Sequence, residues 1–197
     1  ALPFQLETLT ACGIAPDKII QPDNRFHLQA EELVVPSYVN LPNLWSVNYV
    51  RNKFMSHSNM IRVDGYERIY IKRRAYRKVI NEKEILGILD KFNFKSIVLE
   101  VMPLKKQLEV FYNAKVIIAP HGAGLANLVF CKPGTTIIEL FSPSFMEPHY
   151  WLICRLLHLN YRLIVGKREN LHHYWTGFDN MSINPVQLLK VLRGGLL

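Results

Sequence analysis

The stretch VIIAPHGAGLANLVF, residues 116–130, holds the side chains and glycines best suited to chemistry. A β-branched apolar run stops at Pro120, His121 follows, and Gly122 and Gly124 lead into a helix-like segment. Glycines carry no Cβ, so a ligand can approach their backbone closely. The free N–H groups at a helix start, together with the helix dipole, favour a phosphate or a carboxylate. His121 can donate a hydrogen bond to such a group, or serve as an acid or base. The same residues also describe a tight strand-to-helix turn with His121 bonded to backbone. The loop by itself leaves both readings open. HGAG is not GxGxxG, and the next well-placed acid, Glu139, comes 15 residues after Gly124, short of the usual offset of about 20. A carboxylate at 139 can accept hydrogen bonds from ribose hydroxyls or merely brace a loop.

A second cluster precedes it. Six of the eleven residues from Arg68 to Lys78 are basic. Guanidinium groups bind phosphates through paired hydrogen bonds, so Arg73 and Arg77 can clamp a diphosphate. The alternative is a solvated basic loop. No RNA-binding module pattern accompanies the run, and its basic residues are not spread along a long helix. Other chemistries lack their residues. There is no DxD to hold a divalent cation on a diphosphate, and no GxSxG, P-loop or HExxH. His172-His173 has no carboxylate close in sequence to complete a metal site.

These residues must be positioned by regular elements, and the pattern from residue 68 onward supplies them. Strands are predicted at 68–73, 96–101, 115–120, 135–140 and 161–166. Helices are predicted at 81–92, 103–114, 124–130, 148–159 and 184–193. Asn81 and Asn184 stand where N-caps belong, and Pro185 follows at the first helical position. Short strands apolar on both faces, alternating with helices, predict an α/β domain with a covered parallel sheet. In such sheets ligands sit beyond the C-terminal strand ends. That places Arg73, Arg74 and Arg77, then Glu100, then His121, Gly122 and Gly124, and Glu139 near one edge. Residues 1–67 are less regular, with a helix at 4–12, an apolar LVVP strand at 33–36 and a helix over 44–55. They read as part of a first lobe, with a second lobe over 68–197.

The 197 residues are 49% hydrophobic and 20% charged, an ordinary globular balance with no bias to disorder. A net charge of +8 favours anionic partners: nucleotides, nucleic acid, or peripheral contact with a membrane surface. Three widely spaced cysteines with no CxxC read as reduced thiols rather than a disulfide framework or a zinc site. No apolar run approaches the length that spans a bilayer.

YIKRRAYRKVINEKEIL, followed by VLEVMPLKKQLEVFYNAKVIIAPHGAGLANLVFCKPGTTIIEL, resembles glycosyltransferase family 61. The likeness runs over roughly residues 1–165 and is densest over 68–140. It implies a GT-B enzyme of two Rossmann-like lobes. The C-terminal lobe would bind a nucleoside-diphosphate sugar, most simply a UDP-sugar, and pass the sugar to a glycan acceptor with inversion. It implies no metal and no cofactor. The positions that match the family's motifs are Arg73, Arg77, Asn81 with Glu82, Gln107, His121, Gly122, Gly124, Asn127 and Glu139. Lys106 departs from the pattern, which is commonly acidic there. Substrate-binding roles are thereby implied for Arg73, Arg77, Asn81, Gly122, Gly124, Asn127 and Glu139, and a catalytic one for His121. Further N-terminal sequence would complete the acceptor-side lobe. The expected setting is polysaccharide biosynthesis, capsular polysaccharide included, by a bacterial cytoplasmic enzyme at the membrane face. The ER or Golgi lumen is the alternative setting. The competing readings are a non-catalytic glycan-binding module, a nucleic-acid binder using the 68–78 run, and a nicotinamide enzyme, which the missing GxGxxG disfavours.

Overall fold

The computed structural model of the chain describes residues 3–36, 41–55, 63–169 and 176–196. His172 and His173 lie outside them. The elements run α1 (Pro3–Ala11), α2 (Leu44–Met55), β1 (Arg68–Ile71), α3 (Glu82–Asp90), β2 (Lys95–Ile97), α4 (Leu104–Asn113), β3 (Val116–Pro120), a 3₁₀ helix (Ala123–Phe130), β4 (Thr136–Phe141), α5 (His149–Leu156) and β5 (Asn160–Val165). A two-stranded antiparallel pair, β6 (Lys167–Arg168) and β7 (Met181–Ser182), precedes α6 (Pro185–Leu196).

Five strands form one parallel sheet in the order β2-β1-β3-β4-β5. Adjacent residues of a strand point to opposite faces. Ile117 and Ile118 are both fully buried, so both faces of β3 are covered, as the apolar pattern requires. One face carries Tyr70, Ile118, Ile138 and Ile164 against Ile85 and Leu89 of α3 and Leu188 and Leu192 of α6. The other carries Ile69, Ile117 and Ile137 against Leu108 and Phe111 of α4, Leu125 and Leu128 of the 3₁₀ helix, and Ile153 of α5. α3 and α6 thus cover one face and α4, the 3₁₀ helix and α5 the other, a doubly wound arrangement that is Rossmann-like in kind.

From residue 68 onward the predicted elements are present, with differences at their ends. The first strand stops at Ile71 rather than residue 73, and the second stops at Ile97 rather than 101. These ends belong together, because Ile71 pairs with Ile97 in the last rung between them. Beyond that rung the chain turns away, into a loop after β1 and a 3₁₀ turn at Leu99–Val101 after β2. The helix after the HGAG loop is 3₁₀ rather than α-helical. Its buried Leu125 and Leu128 are three apart, the spacing that stacks on one side of a three-residue turn. Asn184 caps α6 as predicted, its Oδ1 accepting from the amides of Val186 (2.9 Å) and Gln187 (3.3 Å). Asn81 does not cap α3 with its side chain.

The LVVP strand expected at 33–36 is absent. Leu33, Val34 and Val35 make no ladder and are 77%, 79% and 75% exposed. Strand propensity without a neighbouring strand to pair with does not hold an extended segment in a sheet. The helix over 44–55 does form. It lays Val47 into the core beside the 3₁₀ helix, and Arg51 donates through Nη1 to the carbonyls of Val129 and Cys131. Farther toward the N-terminus, Glu7 of α1 accepts from the first amide of α4 at 2.6 Å. Both early helices are therefore anchored on the same face of the sheet.

Candidate functional site

The strand order reverses direction between β1 and β3. The chain goes from β1 to β2 on one side, then crosses to β3 on the other. A crevice opens at such a switch point beyond the C-terminal strand ends. Two loops meet there. One follows β1 and carries Arg73 and Arg77. The other follows β3 and carries His121 and Gly122.

Contact between these loops is intimate. The Arg73 guanidinium lies against the α-carbon of Gly122, so closely that a Cβ at 122 would fall 1.9 Å from Nη1. The same guanidinium donates through Nε to the Tyr76 carbonyl at 3.1 Å, which curls its own loop around it. Arg77 reaches the other strand, Nη1 donating to the His121 carbonyl at 3.3 Å, and its guanidinium lies 5.0 Å from the Phe145 ring centre. Its backbone is left-handed, with φ of 55°. A non-glycine residue held there stores strain that surrounding contacts must fix. Among the described residues the buried Arg77 Nε has no partner. Burial lowers the Arg77 pKa, and the nearby Arg73 charge lowers it further. Among the described residues neither arginine forms an ion pair with a carboxylate. Two cations therefore stand close together beyond the C-terminal strand ends, with no carboxylate paired to them among the described residues. The first amides of the 3₁₀ helix, which follow His121 and Gly122, have no intrahelical partner.

His121 is held from beneath. Its amide donates to the Leu140 carbonyl at 2.9 Å, and its Nδ1 lies 2.6 Å from Glu139 Oε1. Glu139 is wholly buried, and its second oxygen accepts from the Tyr161 hydroxyl at 2.6 Å. A buried carboxylate needs such partners, since an unpaired one would be expelled or neutralised. Burial and the bond to Glu139 both push the Tyr161 phenol pKa upward. Phe141, Phe145 and Tyr150 pack round the imidazole with ring centres 5.0, 5.4 and 5.1 Å away. Burial, then the Glu139 charge, also raises the Tyr150 pKa.

The structure thus brings Arg73, Arg77, His121 and Gly122 together. It places the other predicted residues differently. Glu139 lies wholly buried under His121 with both oxygens engaged by protein groups. Gly124 makes room for a protein side chain, as a Cβ there would fall 2.8 Å from the Leu99 Cδ1. Asn127 donates to Gln107 at 2.9 Å, and Gln107 in turn holds the carbonyls of Leu99 and Met102, bracing the loop after β2. Asn81 is spent on the backbone of Ile183, donating at 2.8 Å and accepting at 3.0 Å. The basic run is divided. Arg68 donates to the Phe92 carbonyl and Lys72 pairs with Glu82, whereas Arg74 and Lys78 are exposed. Glu100 is exposed as well. Sequence reasoning missed Tyr161, Phe145 and Tyr150. None of the three carries a distinctive local sign: Tyr161 stands between Asn160 and Arg162 at the polar start of its strand. A shallow recess lined by Thr136, Trp151, Arg155 and Arg162 lies at the opposite, N-terminal end of the strands and contains none of the predicted residues. Among the described residues no helix is long and apolar enough to cross a membrane.

Comparison with known proteins adds to this geometry. The family described as Glycosyltransferase 61 matches residues 4–138. An EGF domain-specific O-linked N-acetylglucosamine transferase of Drosophila melanogaster is 31% identical over 139 residues, covering 64% of this chain and 26% of the relative. A beta-1,2-xylosyltransferase of Arabidopsis thaliana is 30% identical, covering 49% of this chain and 22% of its own. A protein O-linked-mannose beta-1,4-N-acetylglucosaminyltransferase 2 of Canis lupus familiaris is 30% identical, covering 44% and 16%. The chain spans about a quarter or less of the length of these relatives.

Proposed function

This chain belongs to glycosyltransferase family 61, and from that premise we propose that it is the donor-binding part of a GT-B glycosyltransferase that uses a nucleoside-diphosphate sugar. The observation that carries the reading is the Arg73 guanidinium seated on Gly122 beside Arg77, two cations that among the described residues pair with no carboxylate. A diphosphate is the ligand whose charge and width such a pair answers. UDP-sugars are the simplest donors to invoke.

In the proposed reaction an acceptor hydroxyl attacks the anomeric carbon from the face opposite the diphosphate. The bond from carbon to the diphosphate oxygen breaks, and the electron pair leaves with the phosphate. A single displacement of this kind inverts the anomeric centre. Negative charge grows on the departing oxygen, and fixed positive groups aimed at that position lower the barrier. Arg73, Arg77 and the amides after Gly122 supply them, which supports a metal-independent reaction. His121 joins them through Nε2, the ring nitrogen that Glu139 leaves open. It is the catalytic residue we assign in this part of the enzyme. The acceptor-side lobe, and the base that takes the hydroxyl proton, would come from sequence that the longer relatives have and this chain does not span. The printed names of the relatives specify protein-linked acceptors in two cases and a xylosyl transfer in the third. They support a glycan or glycoprotein acceptor over a free capsular polymer.

Calorimetric titration with UDP and a panel of UDP-sugars tests the donor assignment. Saturable binding by the wild type, weakened about tenfold or more in His121→Ala, is the expected result for loss of a charge-assisted contact. Failure of every nucleotide to bind would overturn it.

A further inference from the structure

Three residues from three neighbouring strands line up on one sheet face. In the register, Ala119 pairs with Glu139 and Ile137 with Tyr161. His121 is two residues beyond Ala119, and Glu139 is two residues beyond Ile137. Side chains two apart on a strand share a face. His121, Glu139 and Tyr161 therefore form a diagonal across β3, β4 and β5, and the structure closes it with two 2.6 Å hydrogen bonds. Glu139 and His121 are 0% and 5% exposed, so the bond between them is shielded from water, while Tyr161 is half-buried.

The chemistry of the chain of contacts is directional. A phenol at Tyr161 donates its proton to Oε2, since its burial beside Glu139 disfavours the phenolate. A carboxylate that already accepts there can only accept again from the imidazole. The proton shared with the ring therefore sits on Nδ1, and Nε2 has no hydrogen bond among the described residues. Among the described residues no second group hydrogen-bonds the ring. Arg77 bonds the His121 carbonyl and not the ring, and Tyr150, Phe141 and Phe145 offer ring faces or edges.

Resting on the donor-site reading above, we propose that Tyr161 and Glu139 are positioning residues that fix the His121 tautomer and so present its Nε2 to the donor diphosphate. Neither touches substrate. Both act through His121, as a second hydrogen-bonding partner orients a catalytic or metal-bound imidazole elsewhere. Glu139 is thereby given a role other than the ribose contact that its sequence position implied.

The test separates this from simple structural support. Long-range proton–nitrogen correlation spectra of the ¹⁵N-labelled chain report which ring nitrogen of each histidine is protonated, and His121 is identified by the signal lost in His121→Gln. The wild type is expected to show protonation at Nδ1. Glu139→Gln retains the shape but offers an amide N–H, and is expected to move the His121 proton to Nε2. Tyr161→Phe removes one hydroxyl and leaves the ring packing in place. It is expected to blur the tautomer into a mixture and to weaken UDP binding about three- to tenfold, the range of about one hydrogen bond, while the thermal unfolding remains cooperative. Wild type that binds UDP but shows His121 protonated at Nε2 overturns the proposal. So does a Tyr161→Phe protein with unchanged His121 signals and unchanged UDP affinity. Wild type that binds no UDP refutes the donor-site reading instead, and the tautomer measurement then still judges the hydrogen-bond chain by itself.

Discussion

Gly122→Ala provides the sharpest probe of the arginine cradle. A Cβ built at 122 would lie 1.9 Å from the Arg73 Nη1, 2.6 Å from Cζ and 3.1 Å from Nη2. No pair of heavy atoms tolerates such distances, so one partner must move. The obstacle is the far end of a flexible side chain, and the guanidinium will swing out while the sheet stays in place. The glycine backbone, with φ 157° and ψ 171°, adds strain of about 1–3 kcal/mol for any L-residue held there. The folded state is weakened by that amount but survives in a domain of ordinary stability. Displacing the guanidinium removes one charge-assisted contact to a diphosphate, worth about 1.5–3 kcal/mol. That corresponds to UDP affinity about 10- to 140-fold weaker. The assay is calorimetric titration of wild type, Gly122→Ala, Arg73→Ala and the double variant, with circular dichroism to confirm folding. Because alanine at 122 acts through Arg73, the double variant should bind like Arg73→Ala alone, within about 0.5 kcal/mol. Two outcomes refute the reasoning: undiminished UDP affinity in Gly122→Ala, or losses that add in the double variant.

Three further outcomes follow from the packing and the burial of titrating groups. Ile117→Ala removes a fully buried side chain from the central strand and should cost about 2–5 kcal/mol in urea denaturation; a loss under about 1 kcal/mol would contradict the core assignment. Gln107→Ala frees the carbonyls of Leu99 and Met102 and the Asn127 amide. It should lower stability by about 1–3 kcal/mol and loosen the 99–102 loop, measured as faster amide exchange there. Cys154 is held up to about 12 by burial and by the Glu139 charge, and burial raises Cys131 too. A raised thiol pKa means less thiolate, the reactive form. Iodoacetamide at pH 8 should therefore label only the partly exposed Cys12 in the native protein and all three cysteines once it is unfolded, as read by intact mass; native labelling at Cys131 or Cys154 would contradict the burial.

What the sequence determined by itself is local in nature. The β-branched runs around Ile117-Ile118 and Ile137-Ile138 marked strands, because apolar residues on both faces of a short segment fit little else. Asn184 and Pro185 marked a helix start. The P-H-G-A-G letters after a strand, with Arg73 and Arg77 after an earlier one, placed the candidate site at the C-terminal strand ends. The failures are equally physical. Leu33, Val34 and Val35 have strand propensity, but a strand exists only with a partner, and pairing is not a property of four residues. Asn81 has a capping residue's chemistry, yet Ile183, 102 residues away, claims its amide. Glu139 looked like a ligand contact because its position in the chain does not reveal that both its oxygens are occupied. His121 is 18 residues from Glu139, and Glu139 is 22 from Tyr161. Those separations are set by how helices carry the chain from one strand to the next. Only the sheet register could decide that the three side chains meet, and that Gly122 gives its space to Arg73.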